Sequence, residues 1–235
     1  DGTSDMSVCG NKGARGLRIG GTGVIDTGAK LNVDRNEGTG LQIYTGLNFY
    51  FGNVQIKPGA KVSICENGKS GIDNYYKFSA ENGAGLIVEK NKGCGIRNYN
   101  EMSLDAGSIC ENETEGHGAG ILNDGTMINK AQSTAKLTIG TGVRICNNHA
   151  ATYGGGLYNG ENGTAELSDG VILYNNHAAI GADDIYNTAG RTLTFCAVGT
   201  GWNLDDCKHR IDGWYDDAEG SRWNADGGES EHHIV

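Results

Sequence analysis

Proline is almost absent from this chain: Pro58 stands alone in 235 residues. Glycine, by contrast, occurs 40 times. A flexible linker or a collagen-like strand would need the two together or a strict glycine period, so both are excluded. Glycine at this density suits a chain that turns tightly many times. Long apolar runs are also missing, although 37% of the residues are hydrophobic. No membrane-spanning helix and no apolar core of a signal peptide can be drawn, and an export signal, if there was one, is expected to be already absent at Asp1. No segment repeats its apolar residues at the helical period, so helix-based repeats are disfavoured. No Cys-x-x-Cys occurs, which removes zinc-ribbon and thioredoxin-type readings, and the odd count of 7 cysteines leaves at least one unpaired within the chain.

What is present is a short phrase that recurs. Gly28-Ala29-Lys30-Leu31-Asn32-Val33-Asp34-Arg35-Asn36 aligns without a gap with Gly59 to Asn67 and with Gly83 to Asn91. Looser copies end at Asn112, Asn148 and Asn176. A short alternating strand precedes each glycine, as in Val54-Gln55-Ile56 and Leu137-Thr138-Ile139, and a second lies inside the phrase, as in Val62-Ser63-Ile64. A third follows the asparagine, as in Gly71-Ile72-Asp73-Asn74, Gly95-Ile96-Arg97-Asn98 and Asp184-Ile185-Tyr186-Asn187. Alternation places one apolar set inward on every strand. Successive repeat asparagines lie 31, 24, 21, 36 and 28 residues apart, a minimal coil near 21 with loops inserted elsewhere. The expected fold is an all-β, right-handed parallel β-helix of three strands per coil over residues 1–200. Its N-terminal stretch through Arg18 is expected to cap one end. The segment 201–235, with Trp202, Trp214 and Trp223, is expected to cap the other. The copy at 105–112 falls about one residue short.

Asn36, Asn67, Asn91, Asn112, Asn148 and Asn176 are expected to form a structural ladder. Stacked amides hydrogen-bond along the axis, and asparagine tolerates left-handed turn dihedrals. Asn74, Asn98, Asn123, Asn159 and Asn187 predict a second column of the same kind. The Asn-x-Thr triplets at Asn112 and Asn162 fit a glycan-acceptor pattern but belong to the repeat.

The segment from Asn148 to Asn159, closing on Gly154-Gly155-Gly156-Leu157-Tyr158-Asn159, resembles repeats of polymorphic outer-membrane autotransporters. It resembles still more the β-helix adhesin regions of Gram-positive surface proteins. Cys207 to Tyr215, followed by Asp217 to Trp223, is similar to the short closing module found after such repeats. The resemblance covers most of residues 20–225. It implies an exported, extracellular protein attached to the cell surface or wall, of which this chain is one monomeric domain. It brings no catalytic motif.

Charge is uneven along the chain. Residues 1–100 hold 12 Lys/Arg against 9 Asp/Glu, and residues 101–235 hold 7 against 20. The basic excess is too small for nucleic acid. Tyr44, Tyr75 and Tyr99 follow the third strand of successive coils, with Arg97, Lys69 and Lys92 near them in sequence. Together they predict an outward aromatic strip for a host or environmental glycan, an anionic polysaccharide included, or for an extracellular-matrix component. The competing reading is a packing ladder under the insertion that holds Phe49, Tyr50 and Phe51. His149 and His177 share the context Asn-Asn-His-Ala-Ala and read as a duplicated turn residue before a metal pair. Cys196 and Cys207 are the favoured bridge. Cys110 and Cys146 are within reach of each other on neighbouring coils, as a disulfide or as buried thiols. The acidic pairs Asp183-Asp184, Asp205-Asp206 and Asp216-Asp217 do not form one column, so a polysaccharide lyase or hydrolase ranks below adhesin and below stalk. No cofactor is expected; calcium at the acidic end lacks an EF-hand spacing.

Overall fold

The computed structural model describes residues 4–44, 51–125, 127–128, 131–168, 171–188 and 191–195, with the backbone of Gly213–Asp216 and Ser221–Asn224. The chain is a parallel β-solenoid of about six complete coils, and its described residues contain no helix. Each coil has three faces. The first carries Thr22–Ile25, Asn53–Ile56, Lys77–Ala80, Gly163–Leu167 and Thr192–Phe195. The second carries Lys30–Asn32, Lys61–Cys65, Gly85–Glu89 and Ile172–Tyr174. Glu101–Cys110 and Ala135–Cys146 run unbroken across both, joining them into one twelve-stranded sheet. The third face stacks Arg15–Ile19, Thr39–Ile43, Ile72–Asn74, Ile96–Asn98, Ile121–Asn123, Leu157–Asn159 and Ile185–Asn187.

Register follows from the pattern of apolar residues. Ile64 pairs with Val88, Val88 with Ile109, Ile109 with Ile145 and Ile145 with Leu173, and all are buried. Leu41, Ile72, Ile96, Ile121, Leu157 and Ile185 form the equivalent column behind the third face. A slip of one residue would turn every such column outward. The shortfall in the copy at 105–112 is absorbed by a bulge between Leu104 and Ala106. The longest insertion, between Asn112 and Asn148, carries an antiparallel hairpin, Met127–Ile128 with Ala131–Gln132.

Both asparagine columns are continuous ladders. Asn36 donates from Nδ2 to Asn67 Oδ1, Asn67 to Asn91, Asn91 to Asn112, Asn112 to Asn148 and Asn148 to Asn176, all at 2.9–3.0 Å. Each Oδ1 also accepts the backbone N–H of the asparagine one coil below, as Asn91 does from Asn67 at 3.0 Å. The second amide hydrogen goes to a carbonyl, such as Asn91 Nδ2 to Ile64. A buried carboxamide therefore has all of its hydrogen-bonding capacity met. The second ladder runs Asn74, Asn98, Asn123, Asn159, Asn187 at 2.7–2.8 Å. Ile43 and Ile19 occupy its column in the first coils.

The left-handed position is not the asparagine, as expected, but the residue before it. Arg35, Glu66, Lys90, Glu111, Asn147 and Asn175 have φ of 52–58°. A non-glycine residue there costs about 1–2 kcal/mol. The turn persists because the following asparagine is bonded on both sides. Glycine is required where coils touch: a Cβ on Gly71 would lie 2.6 Å from Val88 Cγ1 and 2.8 Å from Asn91 Nδ2. Asp184 takes this glycine's place in the last complete coil. Its Oδ1 accepts from Asn176 Nδ2 at 2.6 Å and so supplies the acceptor that the next asparagine would have provided.

The N-terminal stretch differs from the expected cap. Met6-Ser7-Val8-Cys9-Gly10-Asn11 repeats the phrase of Val62 to Asn67, and Asp5–Ser7 pairs in parallel with Lys30–Asn32. Asn11 N–H donates to Asn36 Oδ1, and Asn36 Nδ2 donates to the Val8 carbonyl. Gly10, with φ of 69°, stands in the left-handed column. Residues 4–19 thus form two sides of one further coil. At the other end Gly213–Asp216 adds a parallel rung beside Ile185–Asn187, and Ser221–Asn224 turns back antiparallel to it. The remainder of the Trp-rich segment lies outside the described residues.

Replacing Asn91 by alanine removes two donated and two accepted bonds inside a dry spine. The expected cost is about 3–5 kcal/mol, read as a lower denaturation midpoint at unchanged slope. A loss below about 1 kcal/mol contradicts the ladder's role.

Candidate functional site

The third face carries Arg97 and, just after its strands, Tyr44, Tyr75 and Tyr99, while Lys69 and Lys92 lie in the turns before it. Its outward row, one residue per coil, reads Arg18, Gln42, Asp73, Arg97, Leu122, Tyr158, Tyr186. Polar residues on an outward row are normally wet. Here Gln42 and Asp73 are 4% and 2% exposed. Asp73 is held by a two-pronged ion pair: Arg97 Nε and one of its terminal nitrogens reach its two oxygens at 2.6 Å each. Thr39 donates a further bond at 3.1 Å. Burial opposes the charge on Arg97, but the hydrogen bonds and charge of Asp73 outweigh it and hold the guanidinium above the ordinary arginine range.

The predicted tyrosine strip is assembled in part. Tyr75 and Tyr99 stack with centroids 4.7 Å apart and planes 27° off parallel, the separation expected of neighbouring rungs. Both rings are half-buried. Burial, then the charge of Asp73, raises the Tyr75 phenol; burial raises the Tyr99 phenol more strongly, with Arg97 opposing. Tyr44 stands apart. Its ring lies under the Arg18 guanidinium, whose carbon is 3.5 Å from the centroid, a cation–π contact. Among the described residues no ring contact joins Tyr44 to Tyr75. Phe51, from the insertion, packs on Tyr76 at 4.8 Å and not on the strip. Phe49 and Tyr50 lie outside the described residues.

The predicted cations are mostly engaged. Lys92 pairs with Glu113 at 2.7 Å, and Arg97 is committed to Asp73. Lys57–Glu81, Lys77–Glu101 and Lys90–Glu111 repeat the device, each lysine meeting a glutamate one coil further on. Lys69 has no carboxylate partner among the described residues. The basic excess of the first hundred residues is thus largely neutralised in place. Arg15 and Arg18, on the first coil, also lack a carboxylate partner among the described residues. They were missed in the sequence because the stretch through Arg18 read as a cap. The signal was there in Met6 to Asn11.

A second aromatic group also escaped the sequence reading. His117 stacks on Tyr158 at 4.6 Å and on Tyr153 at 5.8 Å, while Tyr186 meets Tyr158 at 5.1 Å and Tyr153 at 4.8 Å. The last three asparagine turns are longer than the earlier ones and pair as a short extra sheet, Glu113–Thr114, His149–Ala150 and His177–Ala178. Those turns bring His117 and Tyr153 back over the third face. Burial lowers the His117 imidazole pKa, favouring its neutral form at neutral pH.

His149 and His177 meet edge-on at 4.8 Å, and His177 Nδ1 is 3.4 Å from Asp183. Among the described residues, no three His, Cys, Asp or Glu side chains converge to hold a metal. Cys110 and Cys146 form a disulfide between neighbouring coils with Cα atoms 4.7 Å apart. Cys196 and Cys207, the favoured pair, lie outside the described residues. Cys94 is buried, and burial pushes its thiol to about 11, an unreactive state. Asn112 is fully buried in the ladder, so its Asn-x-Thr triplet is closed to a glycan.

Compared with protein-family models, curated proteins and solved structures, the chain has no significant match.

The raised phenols make an alkaline prediction. Tyr75 and Tyr99 bind their protons more tightly folded than unfolded, so the stability they contribute is full below about pH 10 and falls as pH rises above it. Tyr99→Phe is expected to flatten the alkaline limb of a stability–pH curve. An unchanged limb contradicts the burial of that phenol.

Proposed function

We propose that this chain is a non-catalytic ligand-binding domain of a bacterial cell-surface adhesin, and that it holds an extended glycan along its third face. The observation that carries the reading is the stacked pair Tyr75–Tyr99. The two rings stand on successive rungs of a rigid frame, half-exposed and with polar tips. Rungs are about 4.8 Å apart, close to the length of one sugar residue in an extended chain. Tyrosine offers a flat apolar surface at low entropic cost, which suits the face of a pyranose. The disulfide between Cys110 and Cys146 supports an oxidising compartment, hence display outside the cell. The resemblance to Gram-positive adhesin regions agrees with this placement. Glycan or matrix carbohydrate is the proposed partner. The second reading, a stalk that holds another module away from the wall, draws on the two ladders, which run most of the described length.

A glycan-array screen of this chain tests the proposal, with neutral and acidic sugars and with and without calcium. Binding is expected, and Tyr75→Ala is expected to weaken it roughly tenfold, about 1.4 kcal/mol, at unchanged melting temperature. A blank array with no turnover of the same sugars favours the stalk. Reducing ends or unsaturated products would overturn the non-catalytic reading.

A further inference from the structure

Beside the tyrosine pair lies a shallow hollow of about 400 Å³, lined by Arg18, Gly20, Gly21 and Tyr44. Its construction follows from the first coil. Ile19 is the last residue of the third-face strand, and two glycines carry the chain to the next first-face strand. A Cβ on Gly21 would meet nothing within 4 Å, and one on Gly20 only the Tyr44 ring at 3.9 Å. The floor is therefore open backbone. Arg18 lies on the adjoining wall, with its guanidinium seated on the Tyr44 ring at 3.5 Å. The ring seats the guanidinium, and the side chain remains exposed, so its N–H groups are open to a ligand. Arg18 is exposed and, among the described residues, no carboxylate lies within ion-pair distance of it. Two other predicted cations differ: Arg97 on the third face and Lys92 in the turn before it are neutralised by Asp73 and Glu113.

A further observation bears on the ligand. Arg15 stands on the same strand as Arg18, likewise exposed and without a carboxylate partner among the described residues, and its charge is felt at the Tyr75 phenol. The positive field thus extends from the hollow towards the tyrosine pair. A sugar chain that brings a carboxylate matches this arrangement: the exposed guanidinium of Arg18 for the carboxylate, the ring of Tyr75 on the rung after Tyr44 for the following sugar face.

We propose that the hollow at Arg18, Gly20, Gly21 and Tyr44 is the acid subsite of the glycan surface and takes the carboxylate of a uronic-acid residue. This rests on the glycan reading of the Tyr75–Tyr99 pair and assigns its charge selectivity to Arg18 in place of Arg97, Lys69 and Lys92.

Calorimetric titration of the whole chain with a uronate oligosaccharide, and with the same oligosaccharide after its carboxyls are reduced to alcohols, tests the assignment. The acidic form is expected to bind at least tenfold tighter, with the difference shrinking as salt rises. Arg18→Gln is expected to abolish that difference and leave the reduced sugar's affinity unchanged; Arg18→Lys is expected to restore part of it, since a point charge replaces the fork. Equal affinity for both forms, or an acid preference that survives Arg18→Gln, overturns the acid subsite while the glycan surface stands. If neither form nor any array sugar binds, the glycan reading itself fails and the subsite with it. Arg18 is exposed, so an unchanged melting temperature checks that the variant is folded.

Discussion

The buried carboxamide bonded to the next buried carboxamide is the interaction on which this molecule depends. A solenoid must turn its backbone three times per coil in a dry interior, and each turn leaves polar groups without strand partners. Asparagine answers this with one side chain. Its oxygen accepts the backbone N–H and the amide of the coil below, while its nitrogen serves a carbonyl and the next oxygen. The arrangement propagates only if every coil repeats it. Insertions of variable length are consequently confined to the outside of the turns, and the left-handed residue before each asparagine tolerates arginine, glutamate, lysine or asparagine. Where the repeat ends, Asp184 supplies the last acceptor.

A stiff spine of this kind decides what the surface can be. Outward residues stand in straight files at the rung spacing, so identical or complementary neighbours meet whether or not they are far apart in sequence. The lysine–glutamate pairs between coils are one result, and such exposed pairs contribute little stability, about 0–1 kcal/mol each. Their larger effect is on the field. They cancel the basic excess over most of the first hundred residues and leave Arg15 and Arg18 as cations without a carboxylate partner on the third face. Tyr75 on Tyr99, and His117 among Tyr153, Tyr158 and Tyr186, are the aromatic form of the same filing.

The fold was legible because it is written in short range. Gly-x-x-x-x-x-x-x-Asn phrases, period-2 strands and the spacing of the asparagines together specify the coil, its three strands and both ladders. Even the deficit before Ser108 shows in the sequence, as the bulge at Leu104 and Ala106. What escaped depends on contacts between coils whose spacing varies. Arg97 looked like a free cation since its partner Asp73 lies 24 residues back, on the preceding third-face strand. Tyr44 looked like the first member of a strip, but Arg18 lies over its ring. The Met6 to Asn11 copy was overlooked because it opens without the leading glycine. His117 and Tyr153 approach Tyr158 and Tyr186 only through the longer late turns, which no local pattern announces.

The central claim is that the asparagine spine, continuous from Asn36 to Asn176, is the rigid element that holds the outward files in place. Hydrogen exchange of the asparagine side-chain amides, followed by NMR in the intact chain, addresses it directly. Strong protection is expected for Asn67, Asn91, Asn112 and Asn148, close to that of the core backbone amides and lost together with them on global unfolding. Fast exchange of these side-chain amides in the folded chain would contradict it, because amides bonded in an unbroken dry ladder cannot reach water without opening the coils.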